Sequence, residues 1–242
     1  MHFPNLLLMA ALASPGAASP VSSSCPPDWQ GNVAAPGYTS SLPICPVLQN
    51  NGVALTRSEI AQIFTSHTVP VDDTAAADME LIRRTISRYA LAIDGRNFPV
   101  LDSIFTQDAL ANYSEVGFMS GIQEIKATLS AALTLFAMTQ HLMGTSVIQL
   151  CREEQEGTVN GSVLSAVSAT YVLATHFPAP STGWPGVISP EDIAVVPVMY
   201  QDSWTREVDC HGAVAWKIRG RYLLYQGLLI GSVPNQSIGL NA

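Results

Sequence analysis

Residues 79–95 read MELIRRTISRYALAIDG, and this stretch decides the class of fold. Apolar residues recur along it at steps of three and four, which is the spacing of one face of an α-helix. They are Met79, Ile82, Ile86, Tyr89 and Ile93. Upstream, Asp72-Asp73-Thr74 supplies the acceptors and negative charge that favour a helix N-terminus, and Gly95 is expected to end the helix in a left-handed conformation. The stretch therefore predicts a long helix that buries one face.

Shorter elements flank this helix. The capping-box pattern Thr56-x-x-Glu59 predicts a short helix that ends before Pro70. Residues 99–105 begin with a proline, which suits the first turn of a second short helix, and residues 109–113 are typical of a strand. Residues 120–136 predict a further helix, because a Ser-x-x-Gln capping pattern precedes an apolar stripe.

After Thr139 the composition changes to that of β-structure. Four segments are rich in Val, Ile, Thr, Tyr and Trp and are separated by turn-forming residues. They are residues 142–150, 163–177, 195–208 and 214–230, with Asn160-Gly161 as a hairpin signal between the first two. Helices followed by long strands predict an α+β domain, in which one curved, mainly antiparallel sheet wraps around three helices.

The overall composition excludes some classes of partner. The chain has 242 residues, of which 48% are hydrophobic, so it can bury a core. Eleven Lys and Arg against 19 Asp and Glu give a formal net charge of -8 at pH 7, with no local run of basic residues. Because binding to phosphates depends on such positive charge, we expect no nucleic-acid partner.

The first eighteen residues are typical of a secretory signal peptide. An eight-residue apolar stretch, Leu6 to Ala13, is followed by small residues before Ser19. No segment further along is long and uncharged enough for a membrane helix, so we expect no membrane span and a secreted protein. The alternative is a disordered apolar start on a cytosolic protein. Residues 19–71 form a Pro- and Ser-rich arm without regular structure before the short helix, and residues 233–242 form a C-terminal tail.

Four cysteines agree with export, because none has a metal-binding spacing. Of three possible pairings we favour Cys25 with Cys45, closing the arm, and Cys151 with Cys210, joining the turns at one end of the sheet. Three Asn-x-Ser sequons would be available for glycosylation on this route. They begin at Asn112, Asn160 and Asn235.

Four titratable residues are candidates for chemistry. Asp94 ends the long helix, where the helix dipole disfavours a carboxylate, so a use other than stability is indicated. If the strands before and after Asn160 pair as a hairpin, His141 and His176 lie at the same end of the sheet. Tyr113 is a candidate for the same cavity.

In sequence order, several short motifs resemble the SnoaL-like branch of the nuclear transport factor two superfamily. They are Tyr89-x-x-x-x-Asp94-Gly-Arg-Asn-Phe, Phe105-Thr-Gln-Asp-Ala109, Tyr113, Gly121, Thr139-Gln-His141, Tyr200-Gln-Asp-Ser-Trp204 and Trp216-Lys-Ile-Arg219. The resemblance covers residues 72–232, is closest in site pattern to the scytalone dehydratases, and implies a conical α+β barrel.

This resemblance implies a role for each candidate. Asp94 falls on the carboxylate that orients a catalytic histidine, and His141 falls on that histidine. Tyr113 falls on one of two tyrosines that hold a water against a substrate carbonyl, and His176 falls on a second pocket histidine. Four further residues are implied to contact substrate. They are Ile93 at the position of the other tyrosine, Met199 and Gln201 on the penultimate strand, and Phe118.

A histidine oriented by a carboxylate can take and return a proton near neutral pH. The resemblance and this chemistry predict a dehydratase, isomerase or cyclase for a small polyketide- or terpenoid-like molecule. No cofactor is expected, since a Gly-rich phosphate loop and a nucleophile elbow are both missing from the sequence. Two alternatives stay open: a secreted binding protein without catalysis, and a metal site formed by Asp94, His141 and His176. Association of the chain into a homo-oligomer also stays open.

Overall fold

A computed structural model describes residues 42–50, 53–65, 73–154, 162–178, 192–209, 211–227 and 230. The helices are α1 (Arg57–Thr65), α2 (Asp73–Asp94) and α3 (Ile122–Leu133), with short 3₁₀ helices at Phe98–Ser103 and Ser114–Val116. The strands are β1 (Gln49–Asn50), β2 (Val53–Ala54), β3 (Phe105–Asn112), β4 (Phe118–Ser120), β5 (Met138–Glu154), β6 (Ser162–Phe177), β7 (Ala194–Val208) and β8 (Val214–Tyr225). The predicted α+β class is confirmed.

Both α1 and α2 begin where the sequence indicated. Thr56 and Glu59 form the expected capping box: the Thr56 backbone N–H donates to Glu59 Oε2 at 2.7 Å, and the Glu59 N–H donates to Thr56 Oγ1 at 3.4 Å. The end of α2 differs from expectation, since the left-handed residue is Arg96, with φ 56°, and not Gly95. The Asn97 N–H donates to the Ala92 carbonyl at 2.8 Å, which completes a Schellman motif around Arg96.

Six strands form the main sheet in the order β4-β3-β8-β7-β6-β5. All neighbours are antiparallel except β3 and β8, which are parallel. Strand β3 begins at Phe105, four residues before the strand predicted at residues 109–113. Its pairing with β8 shifts register between Phe105 and Leu110. The parallel pair places β3 beside the last strand and lets α2 and α3 cover one face.

Alternation along the strands separates the two faces of the sheet. The inner face packs on α2 and α3 and carries the large core, including Tyr200, Trp204 and Trp216. The outer face carries a second cluster, in which Val167, Ala169 and Met199 pack against residues of the N-terminal arm. A residue's face therefore decides whether its side chain can reach the interior of the cone.

The arm lies on the outer face and is held there covalently. Cys45 is bonded to Cys151, 106 residues apart in sequence. Both favoured pairings were wrong, because each assigned one of these cysteines to a different partner. The arm also contains the short β1–β2 hairpin, although no strand was expected before residue 53. The disulfide joins the arm to β5, the strand that also carries His141.

Several expectations fall outside the described residues: the signal peptide, Cys25, Cys210, the Asn160-Gly161 turn, and the sequons at Asn160 and Asn235. Asn112 begins the remaining sequon, and its side-chain oxygen accepts a hydrogen bond from the Ser114 backbone N–H at 3.1 Å. Within the ranges that the structure describes, no helix combines the length and apolar character needed to cross a membrane.

Candidate active site

The centre of the site is a bonded pair of side chains, Asp94 at the end of α2 and His141 near the start of β5. Nδ1 of His141 lies 2.6 Å from Asp94 Oδ1, and the His141 backbone N–H donates to Oδ2 at 2.8 Å. The carboxylate therefore bonds to both the ring nitrogen and the backbone N–H of the same histidine. The dyad is fixed by the geometry of a helix end against a strand, and 47 residues separate its members in sequence.

The charge state of Asp94 fixes the tautomer of His141. Burial raises the pKa of this carboxyl, but hydrogen bonds from the His141 ring, from its backbone N–H and from the Thr139 hydroxyl outweigh burial and hold the pKa below its usual value. Asp94 is therefore ionised at neutral pH and can only accept. Nδ1 of a neutral His141 then carries the proton, which leaves Nε2 with the free lone pair of a base.

His176 stands next to this base on β6. Its ring centroid is 5.8 Å from that of His141 with nearly perpendicular planes, and Phe136 packs on it at 4.6 Å. Burial, reinforced by the neighbouring His141, lowers the pKa of His176 to about 4. His176 is thus neutral near pH 7, so it limits where the His141 ring can lie but has no proton to give as an acid.

The predicted hairpin brings these histidines together. Strands β5 and β6 pair in the register Thr139 to His176 and His141 to Ala174, so both histidines face inward at the same end of the sheet. A register shift between Met143 and Ser146 follows on β5. Residues on both sides of this bulge face inward. The bulge changes which sequence positions, odd or even, do so.

A groove of about 640 Å³ lies against the dyad between α2 and β5. Its lining is mainly aliphatic and thioether, with Asp94 as the one acidic residue among the described lining residues. The lining residues are Ser87, Ala90, Leu91 and Asp94 from α2, and Met138, Thr139, Gln140, His141 and Met143 from β5. The volume is within the range of small-molecule sites. The side chain of His141 is 7% exposed and belongs to the lining of this groove, so a small molecule bound in the groove would lie next to it.

Arg96 and Thr139 support the dyad from behind. The Thr139 hydroxyl donates to Asp94 Oδ1 at 2.9 Å, and Arg96 Nη1 donates to the Thr139 oxygen at 2.8 Å. Arg96 makes this contact from a left-handed backbone conformation. For a residue with a Cβ, that conformation is about 1 kcal/mol less favourable than the right-handed one. Neither residue was a candidate in the sequence, although Thr139 lies in the quoted Thr-Gln-His motif.

A second buried polar group lies deeper in the core. Arg221 on β8 donates from Nε and Nη2 to Asp202 on β7 at 2.7 and 2.8 Å, and both side chains are 0% exposed. The guanidinium carbon lies 4.2 Å from the ring centroids of Tyr89 and Tyr200. The Tyr113 hydroxyl is 2.9 Å from that of Tyr89 and joins the group. Burial raises the pKa of Tyr113 well above its usual range, so it is a neutral phenol.

The sequence of residues 74–222 matches the family model described as the SnoaL-like domain. The matched segment spans most of the chain and contains both the dyad and the buried arginine. The protein belongs to the SnoaL-like family. This confirms the resemblance inferred from the short motifs.

Solved structures give weaker likenesses. A protein provisionally named as a scytalone dehydratase, from Novosphingobium aromaticivorans DSM 12444, is 20% identical, with 70% of this chain and 97% of that chain covered and a TM-score of 0.48. ActVI-ORFA from Streptomyces coelicolor is 15% identical over 62% and 98% of the two chains, with a TM-score of 0.44. A cystatin-like protein of unknown function from Nostoc punctiforme PCC 73102 is 17% identical over 66% and 96%, with a TM-score of 0.44. A search of curated proteins finds no match.

Within the SnoaL-like domain, three of the predicted site residues meet: Asp94, His141 and His176. Tyr113 is buried, and its hydrogen-bond partner is Tyr89. Ile93 is buried in the core on α2 and offers its backbone carbonyl to Arg96 at 2.9 Å. The dyad predicted from position and chemistry therefore exists as a bonded pair, whereas Tyr113 belongs to the deeper group.

The three other predicted substrate contacts lie on the outer face of the sheet. Met199 packs in the cluster beneath the arm, and Gln201 accepts from the Leu55 N–H at 2.9 Å and donates to the Leu55 carbonyl at 2.6 Å. Phe118 is 57% exposed, while its neighbour Met119 is buried in the core. The residues next to them in sequence, Tyr200, Asp202 and Met119, are buried on the inner face.

Proposed function

We propose that this SnoaL-like protein is a cofactor-independent enzyme that dehydrates, isomerises or cyclises a small polyketide- or terpenoid-like carbonyl compound. The observation that carries the proposal is the 2.6 Å contact between Asp94 and His141 beside a groove large enough for a small molecule. An ionised carboxylate on Nδ1 leaves Nε2 of His141 as a base directed away from Asp94. General acid–base catalysis requires a base of this kind within reach of substrate.

For dehydration, Nε2 of His141 takes a proton from the carbon next to the substrate carbonyl. The electron pair forms the new double bond as the hydroxyl leaves from the adjacent carbon, and the imidazolium returns its proton to that hydroxyl as water departs. Asp94 stabilises the imidazolium through Nδ1. One histidine serves both steps, because the low pKa of His176, about 4, leaves it uncharged at neutral pH, without the imidazolium form that could act as the acid.

The lining of the groove supports an uncharged, largely apolar substrate. Leu91, Met138 and Met143 supply apolar walls, and Gln140 and Ser87 supply polar groups that suit hydroxyl or carbonyl oxygens. A cationic substrate would pair with the Asp94 carboxylate and compete with His141 for it. An anionic substrate would meet that same negative charge, so neither class fits as well as a neutral carbonyl compound.

Proton abstraction can be tested without the natural substrate. Two probes are suitable: 3-hydroxy-1-tetralone, which loses water to give 1-naphthol, and 3-cyclohexen-1-one, which isomerises to the conjugated ketone. In D₂O, proton NMR follows exchange next to each carbonyl as well as product formation. We expect exchange above the buffer rate, and a loss of at least about a hundredfold in His141→Gln. His211→Gln, in an exposed turn, is the matched control and should retain activity.

Binding without exchange would favour the non-catalytic alternative. If NMR line broadening shows that both probes bind while neither exchanges faster than in buffer, the protein is better described as a small-molecule-binding protein on the same cone. An active His141→Gln variant would also overturn the assignment of the base.

We propose, in addition, that the chain is exported. The Cys45–Cys151 disulfide supports this, because such bonds persist mainly in oxidising compartments. Expression with the native leader should yield secreted protein whose N-terminal sequence begins at Ser19. Protein that stays in the cytosol with Met1 in place would contradict export.

A further inference from the structure

The end of α2 uses an arginine where a glycine would serve the backbone better. Arg96 occupies the left-handed position of the Schellman motif with φ 56°. Glycine adopts this conformation without steric cost, and it is the common residue at the position. A side chain with a function of its own is the simplest reason for an arginine to stand there.

The guanidinium of Arg96 joins three parts of the chain. Its Nη1 donates to the Ile93 carbonyl at 2.9 Å, and its Nη2 donates to the carbonyls of Leu133 and Phe136 at 3.1 and 3.3 Å. The fourth bond, from Nη1 to the Thr139 oxygen, measures 2.8 Å. These contacts connect the ends of α2 and α3 to the first residues of β5. Asp94 lies on α2, and His141 lies on β5.

The direction of these bonds is fixed by chemistry. A guanidinium has donors and no acceptor, so the Thr139 oxygen must accept from Arg96. The one proton of the Thr139 hydroxyl is then free to go to Asp94 Oδ1, 2.9 Å away. Oδ1 therefore receives two donors, Thr139 and His141 Nδ1, while Oδ2 receives the His141 backbone N–H. The carboxylate cannot rotate without breaking one of these three bonds.

We propose that Arg96 and Thr139 are positioning residues for the dyad: Arg96 orients the Thr139 hydroxyl, the hydroxyl holds the Asp94 carboxylate, and the carboxylate keeps the His141 proton on Nδ1. Neither residue is catalytic, because each acts through Asp94. The consequence for reaction rests on the proposed function, in which Nε2 of His141 is the base. The consequence for the tautomer does not depend on it.

The test compares substitutions that change one bond at a time. Thr139→Val preserves the shape of the side chain and removes the hydroxyl, whereas Thr139→Ser keeps the hydroxyl. Arg96→Gly removes the guanidinium and suits the left-handed backbone, whereas Arg96→Lys keeps the charge and loses the fork. Thr134→Val is the matched control, since the Thr134 hydroxyl donates to the nearby Ala131 carbonyl at 2.6 Å and lies outside the chain of bonds that reaches Asp94.

The decisive measurement is the ¹⁵N NMR spectrum of the His141 ring at neutral pH, assigned by its loss in His141→Gln. Wild type, Thr139→Ser and Thr134→Val should show the Nδ1–H tautomer. Thr139→Val and Arg96→Gly should show at least about a tenth of the Nε2–H tautomer. With a turned-over probe, kcat should fall about 10- to 100-fold in these two variants at little-changed KM, because misplacement of the base affects the reaction step.

The outcomes separate the two proposals. If folded Thr139→Val keeps a pure Nδ1–H ring, the positioning role is overturned, whatever the activity. If Arg96→Gly does not fold, Arg96→Lys tests the same contact, because it keeps the charge and loses the fork, and a pure Nδ1–H ring in folded Arg96→Lys would overturn the role of Arg96. If the tautomer changes as expected but His141→Gln keeps the wild-type rate, the positioning role stands and the proposed function fails. A purely structural role for Arg96 predicts a lower Tm in Arg96→Gly than in wild type, with an unchanged tautomer.

Discussion

Arg221 and Asp202 form a two-bond ion pair that is wholly buried across neighbouring strands β8 and β7. The guanidinium lies between two tyrosine rings, each with its centroid 4.2 Å away. The Nη1 atom of Arg221 is buried and makes no hydrogen bond by distance and angle among the described residues. Each of the two buried charges therefore has the other as its neutralising partner in the core.

Breaking this ion pair should cost more than removing it. Asp202→Leu or Arg221→Met leaves one buried charge without its partner, and either should lower the free energy of unfolding by about 3–5 kcal/mol. The double variant Asp202→Leu/Arg221→Met should be less destabilised than the sum of the single changes. Urea unfolding monitored by tryptophan fluorescence measures all of them. Additive losses would show that the two charges do not act as a pair.

Protonation of His176 should destabilise the protein in mild acid. Burial, followed by the charge of His141, lowers its pKa from 6.5 to about 4. Because the unfolded state takes up this proton first, the free energy of unfolding should fall as pH drops from about 6.5 to 4, by up to about 3 kcal/mol. Below that window both states are protonated, and this contribution stays constant.

The variant His176→Gln isolates the effect, since it does not titrate. The difference between the unfolding free energies of wild type and variant should change between pH 6.5 and 4 and be flat from pH 7 to 8. Asp94 titrates lower, because its pKa is below the usual value, and it contributes equally to both proteins there. If the difference does not vary from pH 6.5 to 4, the pKa of His176 is the same in the folded and unfolded states.

The Cys45–Cys151 bond should be the main attachment of the arm. It links residues 106 apart in sequence, and the chain-entropy account gives such a closure roughly 5 kcal/mol of stability. The double variant Cys45→Ser/Cys151→Ser should unfold at correspondingly lower urea. Non-reducing peptide mapping should recover Cys45 joined to Cys151. A Cys151–Cys210 peptide from native protein would contradict the structure.

The sequence predicted the dyad for reasons that did not require tertiary detail. Asp94 ends a helix whose dipole disfavours it, and His141 and His176 lie within a few residues of register across a predicted hairpin. Both arguments depend on periodicity and chain order, which local sequence encodes. The structure accordingly pairs Thr139 with His176 and places the carboxylate on the ring.

The errors concern information that local sequence does not carry. The outward position of Met199, Gln201 and Phe118 could not be predicted from short motifs, because a slip of one residue reverses every side chain in a strand. No sequence pattern predicts the burial of Arg221, since a charged residue in a strand is usually exposed. Asp202 and the tyrosine rings compensate the loss of hydration of its guanidinium. The parallel β3–β8 pairing and the Cys45–Cys151 bond each join distant segments, and no spacing rule predicts them.

Asp94 and His141 should act as one unit in the proposed reaction. His141→Ala should reduce kcat by about two to four orders of magnitude, because the base is lost. Asp94→Asn should also reduce it, since an amide on Nδ1 neither fixes the tautomer nor stabilises the imidazolium. With His141 gone, the carboxylate has nothing left to orient, so the double variant should be little worse than His141→Ala alone. Turnover of 3-hydroxy-1-tetralone by folded variants measures the cycle. Multiplicative losses would show that the two residues contribute separately, and unchanged activity in Asp94→Asn would remove the carboxylate from the mechanism.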